Sequence, residues 1–119
     1  MAIPNQKEIG WPILEFLKDG KEHHIDKIAK RLEDHFELSK EDRSLQKSSG
    51  REGLFHNRIR WANFYLRKAG LVDSARGTGM SKITADGKDL LKEEPAVLDM
   101  KYLMRFPAFA EYRENVRKK

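Results

Sequence analysis

Along residues 48–84 the apolar positions Phe55, Ile59, Ala62, Leu66 and Ala69 recur every three or four residues, the spacing that gathers side chains on one helical face. His56, Arg60, Asn63 and Arg67 repeat at the same interval, so a polar stripe runs beside the apolar one. Gly70 follows the last apolar residue, where a left-handed cap is expected. This pattern predicts a helix over 54–69. Beyond it Leu71-Val72 begins a strand, Arg76-Gly77-Thr78-Gly79 can turn the chain, and Ser81-Lys82-Ile83-Thr84 can return it. A hairpin over 71–84 behind a helix with a basic outer face predicts a mainly α fold with a small β-hairpin, a winged helix-turn-helix with extra helices.

The same rules extend to either side. Ile9, Ile13, Leu14, Phe16 and Leu17 keep near-helical spacing, with Asn5 as the expected cap and Asp19-Gly20 as the end. Pro12 lacks the N–H that a helix interior uses, so this helix either kinks or begins near Trp11-Pro12. Lys21 to His24 reads as a turn carrying a brief strand able to pair with the wing. A second helix is expected over about 25–36, with Ile25, Ile28, Ala29, Leu32 and Phe36 inward, and Ser39 then caps a short helix through Gln46. That makes the connection to 54–69 longer than the about 3–4 residues of a minimal helix-turn-helix. Lys47 to Gly53 forms a basic approach whose N–H groups and arginine can sit beside a phosphate. After the hairpin, Thr84-Ala85-Asp86-Gly87 opens a helix that keeps Leu90 and Leu91 inward and stops before Pro95. Tyr102, Leu103, Phe106, Phe109 and Tyr112 must then be buried on the domain or on a partner. The expected organisation is one domain over 1–119, with a core of about 5–95 and a C-terminal helical extension over 96–119.

At 119 residues the chain can build a single core. It contains neither the roughly 20 consecutive apolar residues of a membrane helix nor the apolar run of a signal peptide. The absence of cysteine excludes a disulfide framework and a thiolate metal site, and fits a cytoplasmic protein. The net charge of +5 gains meaning from its distribution. Between Arg43 and Lys82 nine Lys and Arg face two acids, a balance of +7, so the rest of the chain carries −2. A solvated face usually mixes its signs, as Ile25 to Asp42 does; a one-signed block points to a polyanion. His23, His24, His35 and His56 do not form a converging zinc set, since neighbours on an extended segment point apart. Asp86 and Asp89 read as helix-capping acids, and the serines lie at no recognisable nucleophile–base spacing from a histidine. No catalytic residue, metal or cofactor is expected.

Ile3-Pro4, Asp19-Gly20-Lys21-Glu22-His23 and Ser49-Gly50-Arg51 lead a run of features that continues through Asn57-Arg58, Trp61-Ala62, Tyr65-Leu66 and Lys68-Ala69-Gly70-Leu71. Ile83-Thr84 with Gly87, and Leu98-Asp99 to Phe106-Pro107, complete it. In this order they closely resemble the N-terminal domain of Mrr-type restriction proteins, over nearly the whole chain. The resemblance implies a winged helix that recognises DNA, in proteins that usually carry a PD-(D/E)xK nuclease domain behind it and cut DNA bearing foreign modification, typically methylated bases. The sequence ends at Lys119, where that nuclease would begin, so an excised domain or a stand-alone relative that binds and does not cut is expected. His24 stands where the family tends to have a small capping residue, and a looser start of the second helix is expected there.

Double-stranded DNA is therefore the expected partner of helix 54–69 and wing 71–84. Candidate contacts are Lys47, Ser49, Arg51, His56, Asn57, Arg58, Arg60, Asn63 and Arg67, with Arg76 and Lys82 on the wing for phosphates or the minor groove. Base readout favours the N-terminal part of a reading helix, which brings Arg51, His56, Asn57 and Arg60 forward of Arg67. Arginine suits guanine and asparagine suits adenine in the major groove. Asn57-Arg58 can equally bond the preceding loop, and Arg60, Asn63 and Arg67 can simply solvate an exposed face. Trp61 and Tyr65 read as packing residues rather than base-stacking ones, so groove readout is the simpler model. The competing function is a protein-interaction or homodimerisation module on the same scaffold, since fold does not fix function.

Overall fold

The computed structural model describes residues 6–44, 53–74, 78–93 and 100–117. The expected cap Asn5, the approach residues Lys47, Ser49 and Arg51, and the wing residue Arg76 lie outside them.

The first helix, α1, spans Gln6–Phe16 and carries Pro12 inside it. The helix does not begin near Trp11-Pro12, as one reading of the proline allows; it starts at Gln6. The reason lies in what its first turns bury. Ile9 has no exposed surface, and neither have Ile13 and Leu14 just beyond the proline. Burying such a side chain is worth about 1.5–3 kcal/mol, so two or three of them offset the about 3 kcal/mol that an interior proline costs. A short 3-10 turn, Leu17–Asp19, closes on Gly20 in the left-handed conformation (φ 79°).

Strand β1 (His23–His24) leads directly into α2 (Ile25–His35). The expected loose start is not found. His24 is the cap itself: its extended backbone lets Nδ1 accept the Asp26 N–H at 3.1 Å, the task a serine or asparagine oxygen usually performs. A short α3 (Lys40–Ser44) follows, opened by reciprocal bonds in which the Asp42 N–H donates to Ser39 Oγ and the Ser39 N–H to Asp42 Oδ2.

The central helix α4 (Leu54–Lys68) agrees with the predicted 54–69 to within one residue and buries Phe55, Ile59, Ala62 and Leu66. It packs on α1 above all, and on α2. Strands β2 (Val72–Asp73) and β3 (Met80–Ile83) form the expected hairpin. β1 joins it antiparallel, His23 opposite Ser81 and His24 opposite Met80, so the sheet order is β1-β3-β2. Helix α5 (Ala85–Glu93) then crosses to α1.

The C-terminal aromatics are used within the chain. Following α6 (Met100–Leu103), α7 (Pro107–Arg117) lies on the flank of α4, with Leu103 and Phe109 buried. Phe109 meets Tyr65 edge-on at 6.0 Å between ring centres, and Tyr112 meets Phe64 at 5.6 Å. The described residues thus form a mainly helical, winged-helix-like arrangement with a three-stranded antiparallel sheet. Among them no helix is long and apolar enough to cross a membrane.

Candidate nucleic-acid interface

A helix turns about 100° per residue, so fixing its buried side decides what the other side offers. With Phe55, Ile59, Ala62 and Leu66 on the core, Asn57, Arg60 and Phe64 fall on the outward arc, and Trp61 beside them. This arc and the wing enclose a groove of about 480 Å³. Asn57, Arg60, Trp61, Phe64 and Arg67 line it from α4; Ser74, Gly79 and Ser81 line it from the hairpin. Ile25 and Asn63 complete the wall where the two meet.

The wing is fastened to its surroundings by hydrogen bonds as well as by Val72 and Ile83, which are buried in the core. The Ile25 N–H donates to the Gly79 carbonyl at 2.8 Å, tying the hairpin to the start of α2. Gly79 is required here: its φ is +74°, and a Cβ would stand 2.7 Å from His24 Nε2. Ser74 Oγ donates to the Met80 carbonyl at 2.7 Å, closing the hairpin on itself. Asn63 Nδ2 donates to Ser81 Oγ at 2.9 Å and so pins α4 to β3. The Asn63 Oδ1 atom is buried with no hydrogen-bond partner among the described residues. An acceptor left so costs about 1–3 kcal/mol.

The sequence-predicted contacts divide accordingly. Asn57, Arg60, Asn63 and Arg67 come together at the groove. His56 is directed elsewhere: its Nε2–H donates to Asp26 Oδ1 at 2.8 Å, joining α4 to α2 and holding the Asp26 carboxyl below the usual carboxylate range. Arg58 does not line the groove; seven residues from Tyr65, it shares that residue's side of α4. Lys82 is exposed on β3 and alternates with the buried Ser81 and Ile83, so it points off the opposite face of the hairpin, across from Asp73. Lys47, Ser49, Arg51 and Arg76 are outside the described residues.

Two aromatic residues of the groove were not among the sequence candidates. Phe64 is half-buried, with the Arg67 guanidinium 5.2 Å and the Lys68 ammonium 5.3 Å from its ring centre. Trp61 remains 44% exposed, with its ring 5.9 Å from Tyr65 and 5.6 Å from Phe64. The packing expectation thus holds for Tyr65 and only partly for Trp61. The signal was present in the helical angle: Trp61 is two residues from Ile59, on the far side of the helix from the apolar stripe.

Among the described residues no three His, Cys, Asp or Glu side chains gather as metal ligands would. A family model for the Mrr N-terminal domain matches residues 7–93. The chain belongs to that family. The match to the Mrr N-terminal domain covers α1 through α5, including every helix and strand that builds the groove, and leaves α6 and α7 outside. It connects the chain to restriction-system proteins through their N-terminal domain rather than through a nuclease domain. No curated protein and no solved structure matches the chain.

Proposed function

We propose that this Mrr N-terminal domain is the DNA-recognition module of a cytoplasmic restriction system, binding duplex DNA through α4 and the wing and making no cut itself. One observation carries the reading: the outward arc of α4 brings Arg60, Arg67 and Asn57 to a groove whose other wall is the wing. This arc lies within the segment that holds all of the chain's excess positive charge. Cations on a convex helix neutralise phosphates, while amides and guanidinium groups beside them read base edges. His56, bonded to Asp26, acts in this reading as a brace that holds α4 against α2.

Fluorescence anisotropy with a labelled duplex, unmodified or carrying a methylated base, tests the proposal. Micromolar or tighter binding is expected, weakening steeply with salt at a log–log slope of about −0.9 for each phosphate neutralised. A tighter complex with the methylated duplex identifies the module as the reader of modification. Incubation of this chain with methylated DNA and magnesium is expected to leave the DNA intact. Absence of binding at micromolar protein, or a response insensitive to salt, removes the reading.

A further inference from the structure

The groove has a feature that phosphate contacts do not use. Trp61 presents 44% of its surface, with Tyr65 tilted against it and Phe64 edge-on beside it on the same wall, so the indole is a braced aromatic surface on the groove. Arg60 and Arg67 flank the same groove. A volume of about 480 Å³ lies within the range of sites that enclose small planar ligands. In an intact duplex both faces of every base are covered by its neighbours. Only an unstacked base can lie on an indole, with its phosphates near arginine.

We infer that the groove between α4 and the wing receives one extrahelical nucleobase of DNA, stacked on Trp61. The inference rests on the duplex-binding reading above and adds an occupant to its site. The arginines hold the flanking phosphates, and the hydrogen bonds from Ile25 to Gly79 and from Asn63 to Ser81 keep the two walls at a fixed separation.

Extrusion has an energetic cost that a bulged nucleotide has already met. Anisotropy titrations therefore compare a paired duplex with duplexes bearing one bulged dA, dC or dT. All three bulged duplexes are expected to bind at least about tenfold tighter than the paired duplex. In Trp61→Ala the bulged-to-paired ratio should fall to near one, and Trp61→Phe should restore much of it. The ratio is taken within one variant, so a general loss of affinity does not imitate the effect. Trp11→Phe provides a second readout, since Trp61 is then the only indole; its emission should be quenched as the bulged duplex binds. Paired and bulged duplexes bound equally by the unsubstituted chain would overturn the pocket and leave duplex recognition standing. Unchanged indole emission at saturation, or a bulge preference that survives Trp61→Ala, overturns it too. Tight binding of bulged DNA with none of paired DNA keeps the pocket and removes the duplex reading, and no binding of either removes both.

Discussion

At the end of α2 the Glu37 N–H donates to the Asp34 carbonyl and the Leu38 N–H to that of Glu33; at the end of α4 the Gly70 N–H donates to Arg67 and the Leu71 N–H to Leu66. The two caps have one geometry, and each needs a left-handed residue at its centre. Gly70 adopts φ +81° freely, whereas Glu37 is forced to 52° against its own Cβ. Glu37→Gly should therefore raise stability by about 1 kcal/mol, read from urea unfolding. Gly70→Ala should lower it by about the same amount, and purely through the backbone, because a Cβ there meets nothing within 4 Å. Thr84 does double duty nearby: Oγ1 accepts the Gly87 N–H at 3.0 Å and donates to the Gly70 carbonyl at 2.7 Å. Thr84→Ala should cost about 1–2 kcal/mol while Thr84→Ser costs little, a contrast that thermal unfolding can read. The glycine after α4 was legible because an apolar run stopped before it. Glu37 was not, because nothing in its type announces a left-handed turn.

Elements were legible where a periodic apolar face was long enough to dominate. Helix α4 was found for that reason, and the brief strand at His23–His24 because a hairpin edge lay open to it. What periodicity could not supply is the closeness of two backbones. Gly87 in α5 sits where a Cβ would overlap the Leu71 carbonyl oxygen and stand 2.6 Å from Ile83 Cγ1. Backbone cannot retreat as a side-chain tip can, so Gly87→Ala should destabilise by about 1–3 kcal/mol and loosen α5 from the wing. Hydrogen exchange at the β3 amides is the measurement. The junction of α1, β1 and α2 responds to acid. The Lys21 N–H and then His23 hold the Asp19 carboxyl below its ordinary value, and His56 does the same for Asp26. A depressed folded-state pKa favours the fold only while the carboxyl is ionised. The contribution is therefore present above about pH 4 and lost as pH falls through the depressed values. Asp26→Asn should lower the melting temperature at neutral pH, and its difference from the parent chain should close as the carboxyl protonates in acid. The effect is modest because the Asp26 side chain is 73% exposed.

For the molecule as a whole the leading quantity is where charge meets shape. Nine cations against two acids were visible in the sequence, but their directions were not. Arg60 and Arg67 reach the groove, Arg58 lies on another side of α4, and Lys82 leaves the far face of the hairpin. That sorting depends on which helical angle the core claims and on the alternation along β3, both tertiary facts. Arg60→Ala should accordingly reduce the salt slope of DNA binding by about 0.9 and weaken binding at low salt. The remote pair Lys18→Ala and Lys92→Ala, exposed on the 3-10 turn after α1 and on α5, should change it far less. A parallel pair of anisotropy titrations distinguishes them.

The rings beside Trp61 belong to a chain of contacts that does not stop at α4. Tyr65 leans on Phe109 and Phe64 on Tyr112, so both supports of the indole are themselves propped by α7, and the Lys68 ammonium sits 5.1 Å from the centre of the Tyr112 ring. The family match ends at residue 93, yet the stiffness of the surface it encloses is finished by a helix beyond that boundary. Trimming the polypeptide to the matched span would keep every groove-lining side chain and remove the buttress that steadies the central one.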